Sequence, residues 1–132
     1  MLILILDDDN NRHDCFRQWL QDHNCLHVKT AKAAITLLKS DLRFDLVCLD
    51  HDLDLCTDPD IESTGTGHDV ARFISSHMSI KQIPKKIWIH SWNNYGAMEM
   101  ETELRLCNTE IRRNEFANAP LYARVLLDFL EA

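Results

Sequence analysis

The sequence predicts an α/β domain: a doubly wound sheet of five parallel strands in the order 2-1-3-4-5, with helices on both faces. Three observations lead there. Strand-like and helix-like segments alternate five times along the 132 residues, the pattern of right-handed crossovers between parallel strands. Two strand segments, residues 2–6 and 44–49, are apolar on both faces apart from Asp45, as strands in the middle of a helix-covered sheet must be. Three strand segments then end in polar clusters: Asp7-Asp8-Asp9, Asp50-His51-Asp52, and His90-Ser91 with Asn93. In this strand order the first, third and fourth strands are neighbours. The clusters therefore meet at the carboxyl edge of the sheet, where open α/β folds bind ligands.

Residues 2–6, Leu-Ile-Leu-Ile-Leu, form the first strand. The run is too short to cross a membrane and has no basic flank, so a strand is predicted rather than a signal peptide. Asn10 or Asn11 is expected to cap the first helix, which carries Phe16, Trp19 and Leu20 on one face. Residues 25–28 give a short second strand. Thr30 is placed as an N-cap because Ala31, Ala34, Ile35 and Leu38 follow at helical spacing. The third strand covers residues 44–49. Residues 54–66 are acidic and rich in Thr, Gly, Asp and Pro; a loop this long between strand and helix is expected to shape or cover a pocket. Gly67 opens a third helix bearing Val70, Ala71, Ile74 and Met78, and Pro84 breaks the chain before a fourth strand at 87–89. Ala97, Met100, Leu104 and Cys107 mark one face of the fourth helix. Residues 110–116 read as a weak fifth strand. Asn118 or Ala119, with Pro120, starts a last helix whose apolar positions are Leu121, Val125, Leu126, Phe129 and Leu130.

The length fits a single domain over 1–132, and 45% hydrophobic residues suffice for a core. Five cysteines, an odd number with no CxxC spacing, imply reduced thiols in a cytoplasmic protein and no structural zinc. A net charge of −7 argues against strong duplex nucleic-acid binding, and no segment reads as a membrane anchor. Nothing in the pattern specifies an oligomeric interface.

Carboxylates from two strand ends make an oxygen-only donor set, which suits Mg²⁺ or Mn²⁺. Asp7, Asp8 and Asp50 are the leading ligands, with Asp52 assisting; Asp9 sits where a helix N-terminus favours negative charge. A metal beside two histidines suggests phosphoester chemistry, with His51 or His90 moving protons near neutral pH and Asp50 at the centre. Ser91, Asn93 and the first amides of the fourth helix would hold a phosphate, and Arg12 is placed to help. Arg112 and Arg113 read as solvated, and Lys81, Lys85 and Lys86 fall at the opposite edge of the sheet. His13, His23, His27 and His77 read as surface or boundary residues, His68 as a solvent-facing helix start, Met98 and Met100 as core. Trp88 and Trp92 read as packing or loop-anchoring residues rather than base-stacking ones.

The first-strand acid pair and the third-strand Asp resemble the flavodoxin-like receiver domain of bacterial response regulators. The fuller set is Leu6-Asp7-Asp8-Asp9 with Arg12, Leu49-Asp50-His51-Asp52-Leu53, Gly67 with Asp69, and His90-Ser91 with Asn93 and Gly96. That set resembles more closely a receiver-derived family, the cyclic-phosphate processing receiver-like domains. The resemblance implies a metal-dependent phosphoesterase whose substrate is a cyclic phosphate, either an RNA 2′,3′-cyclic end or a cyclic nucleotide. Signalling receivers usually end their fifth strand with a Lys before a Pro. This chain offers Arg112-Arg113 there, and Pro120 follows Ala119. Two other readings stay open: a stand-alone signalling module phosphorylated on Asp50, and a non-catalytic protein that sequesters a cyclic nucleotide.

Overall fold

The computed structural model describes residues 1–53 and 65–132. The pocket-covering role expected of the loop at 54–66 therefore lies almost wholly outside the described residues. Within them the chain runs β1 (Leu2–Leu6), α1 (Asn10–Trp19), β2 (Asn24–Val28), α2 (Ala31–Leu38), β3 (Leu46–Leu49), α3 (Gly67–His77), β4 (Lys86–Ile89), α4 (Asn94–Leu104), β5 (Glu110–Arg113) and α5 (Pro120–Glu131). The strands form one sheet in the order β2-β1-β3-β4-β5, and every pairing is parallel. This is the doubly wound architecture the sequence predicts.

Strand alternation splits the core into two layers. Leu4, Leu6, Val47, Leu49, Ile87 and Ile89 pack with Ala34, Leu38, Val70, Ile74, Met100 and Leu104 of α2, α3 and α4. Ile3, Ile5, Leu46, Cys48 and Trp88 pack with Phe16, Leu20, Tyr122, Leu126 and Leu130 of α1 and α5. Each large apolar side chain buried this way contributes about 1.5–3 kcal/mol relative to exposure. Both faces of β1 and β3 are thus committed to packing until the strands end.

Helix starts follow side-chain chemistry. Thr30 caps α2, its hydroxyl accepting from Ala33 N at 3.1 Å. Thr66 and Asp69 form a capping box on α3. At α1 the expectation is corrected: the cap is Asp9 rather than Asn10 or Asn11, and its carboxylate accepts from Arg12 N at 3.0 Å. A negative charge there also complements the helix dipole. On α5, Leu121 is 71% exposed, against expectation. Tyr122 is buried in its stead, its hydroxyl accepting from Trp88 Nε1 at 2.8 Å and donating to Asn114 O at 3.0 Å.

Several elements are shorter than the sequence pattern suggests. β3 begins at Leu46 because Asp45 turns its carboxylate to Leu2 N, at 2.9 Å. β5 ends at Arg113, yet Asn114 N and Phe116 N still donate to Ile89 O and His90 O, which holds Phe116 against the α1–α5 layer. Cys107 lies beyond α4, and Met78 is the C-cap of α3. Lys86 is buried at the sheet's far edge, its ammonium donating to Phe129 O at 2.6 Å and Ala132 O at 2.7 Å. Its charge there complements the carbonyl end of α5. Cys15, Cys25, Cys48 and Cys107 are free thiols. Among the described residues no helix is long and apolar enough to cross a membrane.

Candidate functional site

Register places the site. Leu6 pairs with Leu49, and Leu49 with Ile89. Asp7, Asp50 and His90 are the residues that follow, so three strands deliver them side by side. Backbone bonds extend the pairing one step further: Asp50 N donates to Leu6 O and His90 N to Leu49 O, both at 3.0 Å.

Asp7 is fully buried, with a dense set of partners. Arg12 grips it with two bonds, Nε to Oδ2 at 2.7 Å and Nη2 to Oδ1 at 2.8 Å. His90 Nε2 lies 2.8 Å from Oδ2, and Asp9 N donates to Oδ1 at 2.9 Å. Arg12 Nη2 also reaches Asp8 Oδ1 and Asp50 Oδ2, each at 3.4 Å. The guanidinium expected to meet a substrate phosphate is therefore the resident counter-charge of the acidic cluster. Burial pushes the Asp7 carboxyl up, but hydrogen bonds from His90 and Arg12 outweigh it and hold Asp7 well below the ordinary carboxylate range. Asp50 goes the other way, to about 7, raised by burial first and by the charge of Asp7 next.

Asp7, Asp8 and Asp50 each offer an oxygen, and these lie within 4.8 Å of one another. Such a donor set fits a hard divalent cation such as Mg²⁺ or Mn²⁺. The electrostatics fit as well: one guanidinium faces three carboxylates, and after burial the charges of Asp7 and Asp8 add to the rise of Asp50. Asp52, expected to assist, stands outside that group. Its Oδ1 accepts from His51 Nδ1 at 2.7 Å and from Asn93 Nδ2 at 3.2 Å. The bond from His51, ahead of the cost of burial, lowers the Asp52 pKa. With the Nδ1 proton committed to Asp52, the proton-accepting nitrogen of His51 is Nε2.

His90 turns inward, its side chain fully buried. The ring packs edge-on against Phe16 at 5.0 Å, and Nδ1 has no hydrogen-bond partner among the described residues. Burial keeps its pKa below the ordinary imidazole value despite the Asp7 partner. Ser91 Oγ accepts from Asn93 N at 3.1 Å, which leaves the hydroxyl proton for another acceptor. Asn93 caps α4, its Oδ1 accepting from Gly96 N at 2.9 Å.

Two glycines set the close approaches. A Cβ on Gly67 would lie 1.9 Å from Asp50 O, so only glycine lets α3 start against the end of β3. A Cβ on Gly96 would lie 2.6 Å from the His51 ring, which rests on α4 at that point.

Asp8, Arg12, Asp50, Asp52, His90, Ser91, Trp92, Asn93 and Phe116 line one cleft of about 280 Å³. Phe116, expected at the end of the fifth strand, lines the cleft, and His13, expected at the surface or boundary, is buried. His13 is 3% exposed rather than at the boundary; its Nε2 donates to Asp7 O and its Nδ1 meets His27 Nδ1, both at 2.7 Å. Burial and the neighbouring His13 pull His27 down to about 4. The available signal was spacing, since His13, Phe16 and Leu20 share one face of α1. His68 is part-exposed and is not among the residues that line the cleft: its ring nitrogens lie 3.7 Å from Glu99 and 3.9 Å from Glu103, between α3 and α4. Arg113 pairs with Glu101 at 2.7 Å.

Fold and site together define a receiver-type α/β domain with an acidic pocket at its carboxyl edge. Solved receiver structures agree on the fold. The phosphorylated cyanobacterial phytochrome response regulator RcpA superposes with TM-score 0.72 at 18% identity, over 98% of this chain and 91% of that one. The receiver domain of NtrX from Brucella abortus gives 0.64 at 20% identity, over 98% of each chain. The signal receiver domain of a Luxo repressor protein from Vibrio parahaemolyticus gives 0.62 at 20%, over 98% and 89%. Comparison with curated proteins found no significant match. The sequence profile of the cyclic-phosphate processing receiver domain matches residues 2–106, and the chain belongs to that family.

Proposed function

We propose that the chain is a divalent-cation-dependent phosphoesterase that opens a cyclic phosphodiester. The observation that carries this reading is the convergence of Asp7, Asp8 and Asp50 around Arg12, at a cleft lined by Asp8, Asp50, Ser91 and Asn93. A cation held by Asp7, Asp8 and Asp50 would neutralise phosphoryl oxygens and lower the pKa of a bound water. The Ser91 hydroxyl and the first free amides of α4 would hold the remaining phosphate oxygens. His51 Nε2 would take a proton as water oxygen bonds to phosphorus, then return one to the ester oxygen as the ring P–O bond breaks. Asp52 would hold the His51 tautomer and stabilise the imidazolium. His90 has no exposed nitrogen and is better suited to orienting Asp7 than to exchanging protons with a substrate.

The test is turnover on RNA with a 2′,3′-cyclic end, nucleoside 2′,3′-cyclic phosphates, and 3′,5′-cyclic mono- and dinucleotides, with Mg²⁺, Mn²⁺ or chelator. Metal-dependent ring opening of at least one supports the reading. A folded, metal-saturated protein that opens none sinks it; a stable acyl-phosphate on Asp50 after incubation with a small phosphodonor would then favour signalling, and tight binding without turnover would favour sequestration.

The role of His51 has its own test. Gly96→Ala gives up glycine's helix penalty of roughly 1 kcal/mol and forces the His51 ring to shift. Turnover is expected to fall roughly 10²-fold, the lower end for a general base, with the urea midpoint little changed. Unaltered kcat in this variant would remove His51 from the mechanism.

A further inference from the structure

We propose that the indole of Trp92 is a stacking platform for a nucleobase, which would make the preferred substrates nucleotides rather than small cyclic phosphodiesters. The inference rests on the phosphoesterase reading and adds what that reading lacks, a group that recognises the rest of the substrate. Trp92 is 67% exposed, whereas Trp88 is fully buried. Its exposure is not looseness. Nε1 donates to Phe116 O at 2.7 Å, tying the ring to the segment that follows β5. A tethered aromatic ring with a solvent-exposed surface has already lost the rotational freedom that binding would otherwise remove.

Its place in the chain strengthens the case. Trp92 lies between Ser91 and Asn93 and lines the same cleft as Asp8, Arg12 and Asp50. The lining of that cleft combines charged groups with two aromatic rings, Trp92 and Phe116. A ligand with an anionic end and a flat apolar end matches both. The volume of about 280 Å³ is at the lower limit of small-molecule sites. It suits a sugar phosphate inside, with the base lying on the open indole outside. Bases of any identity stack on such a surface, so the expected selectivity is for the presence of a base. Tyr95 is as exposed, at 68%, but is not a lining residue and serves as the control.

The experiment compares adenosine 2′,3′-cyclic phosphate with glycerol 1,2-cyclic phosphate, which has no base, in the wild type, Trp92→Ala, Trp92→Phe and Tyr95→Ala, with Mg²⁺. Trp92→Ala is expected to raise KM for the adenosine probe roughly 5- to 150-fold and to leave the glycerol probe unchanged. Trp92→Phe keeps a stacking face without the indole N–H and should restore most of the affinity, and Tyr95→Ala should match the wild type on both probes. Quenching of indole fluorescence by the adenosine probe should vanish in Trp92→Ala. Equal KM for the adenosine probe in wild type and Trp92→Ala overturns the inference and leaves the phosphoesterase intact. Equal losses on both probes also overturn it, assigning Trp92 to loop positioning. If the wild type neither binds nor opens either probe, the phosphoesterase reading fails and this inference with it.

Discussion

Asp50→Asn is expected to abolish turnover and at the same time make the metal-free protein more stable. The two effects share a cause. Asp50 is buried between two other carboxylates, and its pKa is pushed to about 7 from 3.8. Between those values the folded protein keeps a proton that the unfolded chain has released. Wild-type stability from this group therefore falls as pH rises from about 4 to about 7 and is fully lost above that. The upper bound is about 4 kcal/mol; a gain of about 2–4 kcal/mol for Asp50→Asn at pH 8 in chelator is expected, shrinking towards zero at pH 4. His27 and His90 have lowered pKa values, so their contributions rise with pH over part of the same window. They are common to both proteins and cancel in the difference. Urea melts from pH 4 to 8 read that difference directly. Mg²⁺ should then stabilise the wild type by mass action and leave the variant unmoved. Turnover should drop by more than about 10²-fold, the loss already typical of groups that only support metal ligands. A variant less stable than wild type at pH 8, or a gap that ignores pH, would mean that Asp7, Asp8 and Asp50 do not repel one another as described.

The parts of this site that the sequence made legible are those that strand topology dictates. An apolar run such as residues 2–6 can only be an interior strand, and its next residue must emerge at the carboxyl edge. Asp7, Asp50 and His90 were located by that logic, and the register confirms their alignment. Side-chain direction was not legible. Asp50 and His90 leave neighbouring strands at one level, yet His90 packs into the α1–α5 layer, because Phe16 and Phe116 offer an apolar seat that only the folded chain assembles. The partners Arg12 takes within the acidic cluster are not legible either, because they are set by distances of a few ångströms. The burial of His13, expected at the surface or boundary, is not legible because a histidine on an apolar helical face carries no local sign of the backbone carbonyl that accepts from it. Hydropathy favours Leu121 over Tyr122 because it undervalues a tyrosine whose hydroxyl is satisfied on both sides.

Fold similarity to signalling receivers does not by itself decide between storing a phosphoryl group and hydrolysing an ester. The arrangement around Asp50 bears on it more. A phosphorylation switch needs a change in charge to reach a responsive surface, and the cation fixed nearest Asp50 here is Arg12, which spends two bonds on Asp7. At the end of β5, where signalling receivers place a lysine, Arg113 is occupied with Glu101. The polar groups added at this edge are instead His51 and Asp52, joined by a hydrogen bond of 2.7 Å.

Arg12→Gln is expected to act in the opposite sense to Asp50→Asn on both counts: lower stability without metal, tighter affinity for it. Removing the guanidinium leaves Asp7 fully buried, with His90 and the Asp9 amide as its remaining donors. Breaking one partner out of a buried ion pair costs about 3–5 kcal/mol. Arg12 keeps 22% of its side chain exposed, so water tempers the loss and the lower half of that range is expected. The penalty has a pH sign of its own. Asp7 is held below the ordinary carboxylate range, so its stabilisation is present above the unfolded value of 3.8 and is lost only in strong acid. The part of the Arg12→Gln deficit that comes from Asp7 should therefore be flat above pH 5, and because Arg12 also holds the Asp50 pKa down, the total deficit should widen above about pH 7. A cation entering the cluster meets three carboxylates with no competing guanidinium, so Mg²⁺ should bind roughly tenfold more tightly, as removal of a nearby like charge worth about 1.4 kcal/mol implies. Saturating Mg²⁺ should then recover much of the lost stability. Urea melts in chelator and in Mg²⁺, with calorimetric titration of the ion, test all three parts. A variant that melts with the wild type and binds Mg²⁺ no more tightly would show that Arg12 is not the charge that holds the carboxylates together in chelator, and the acidic site would need another account of how Asp7 stays ionised.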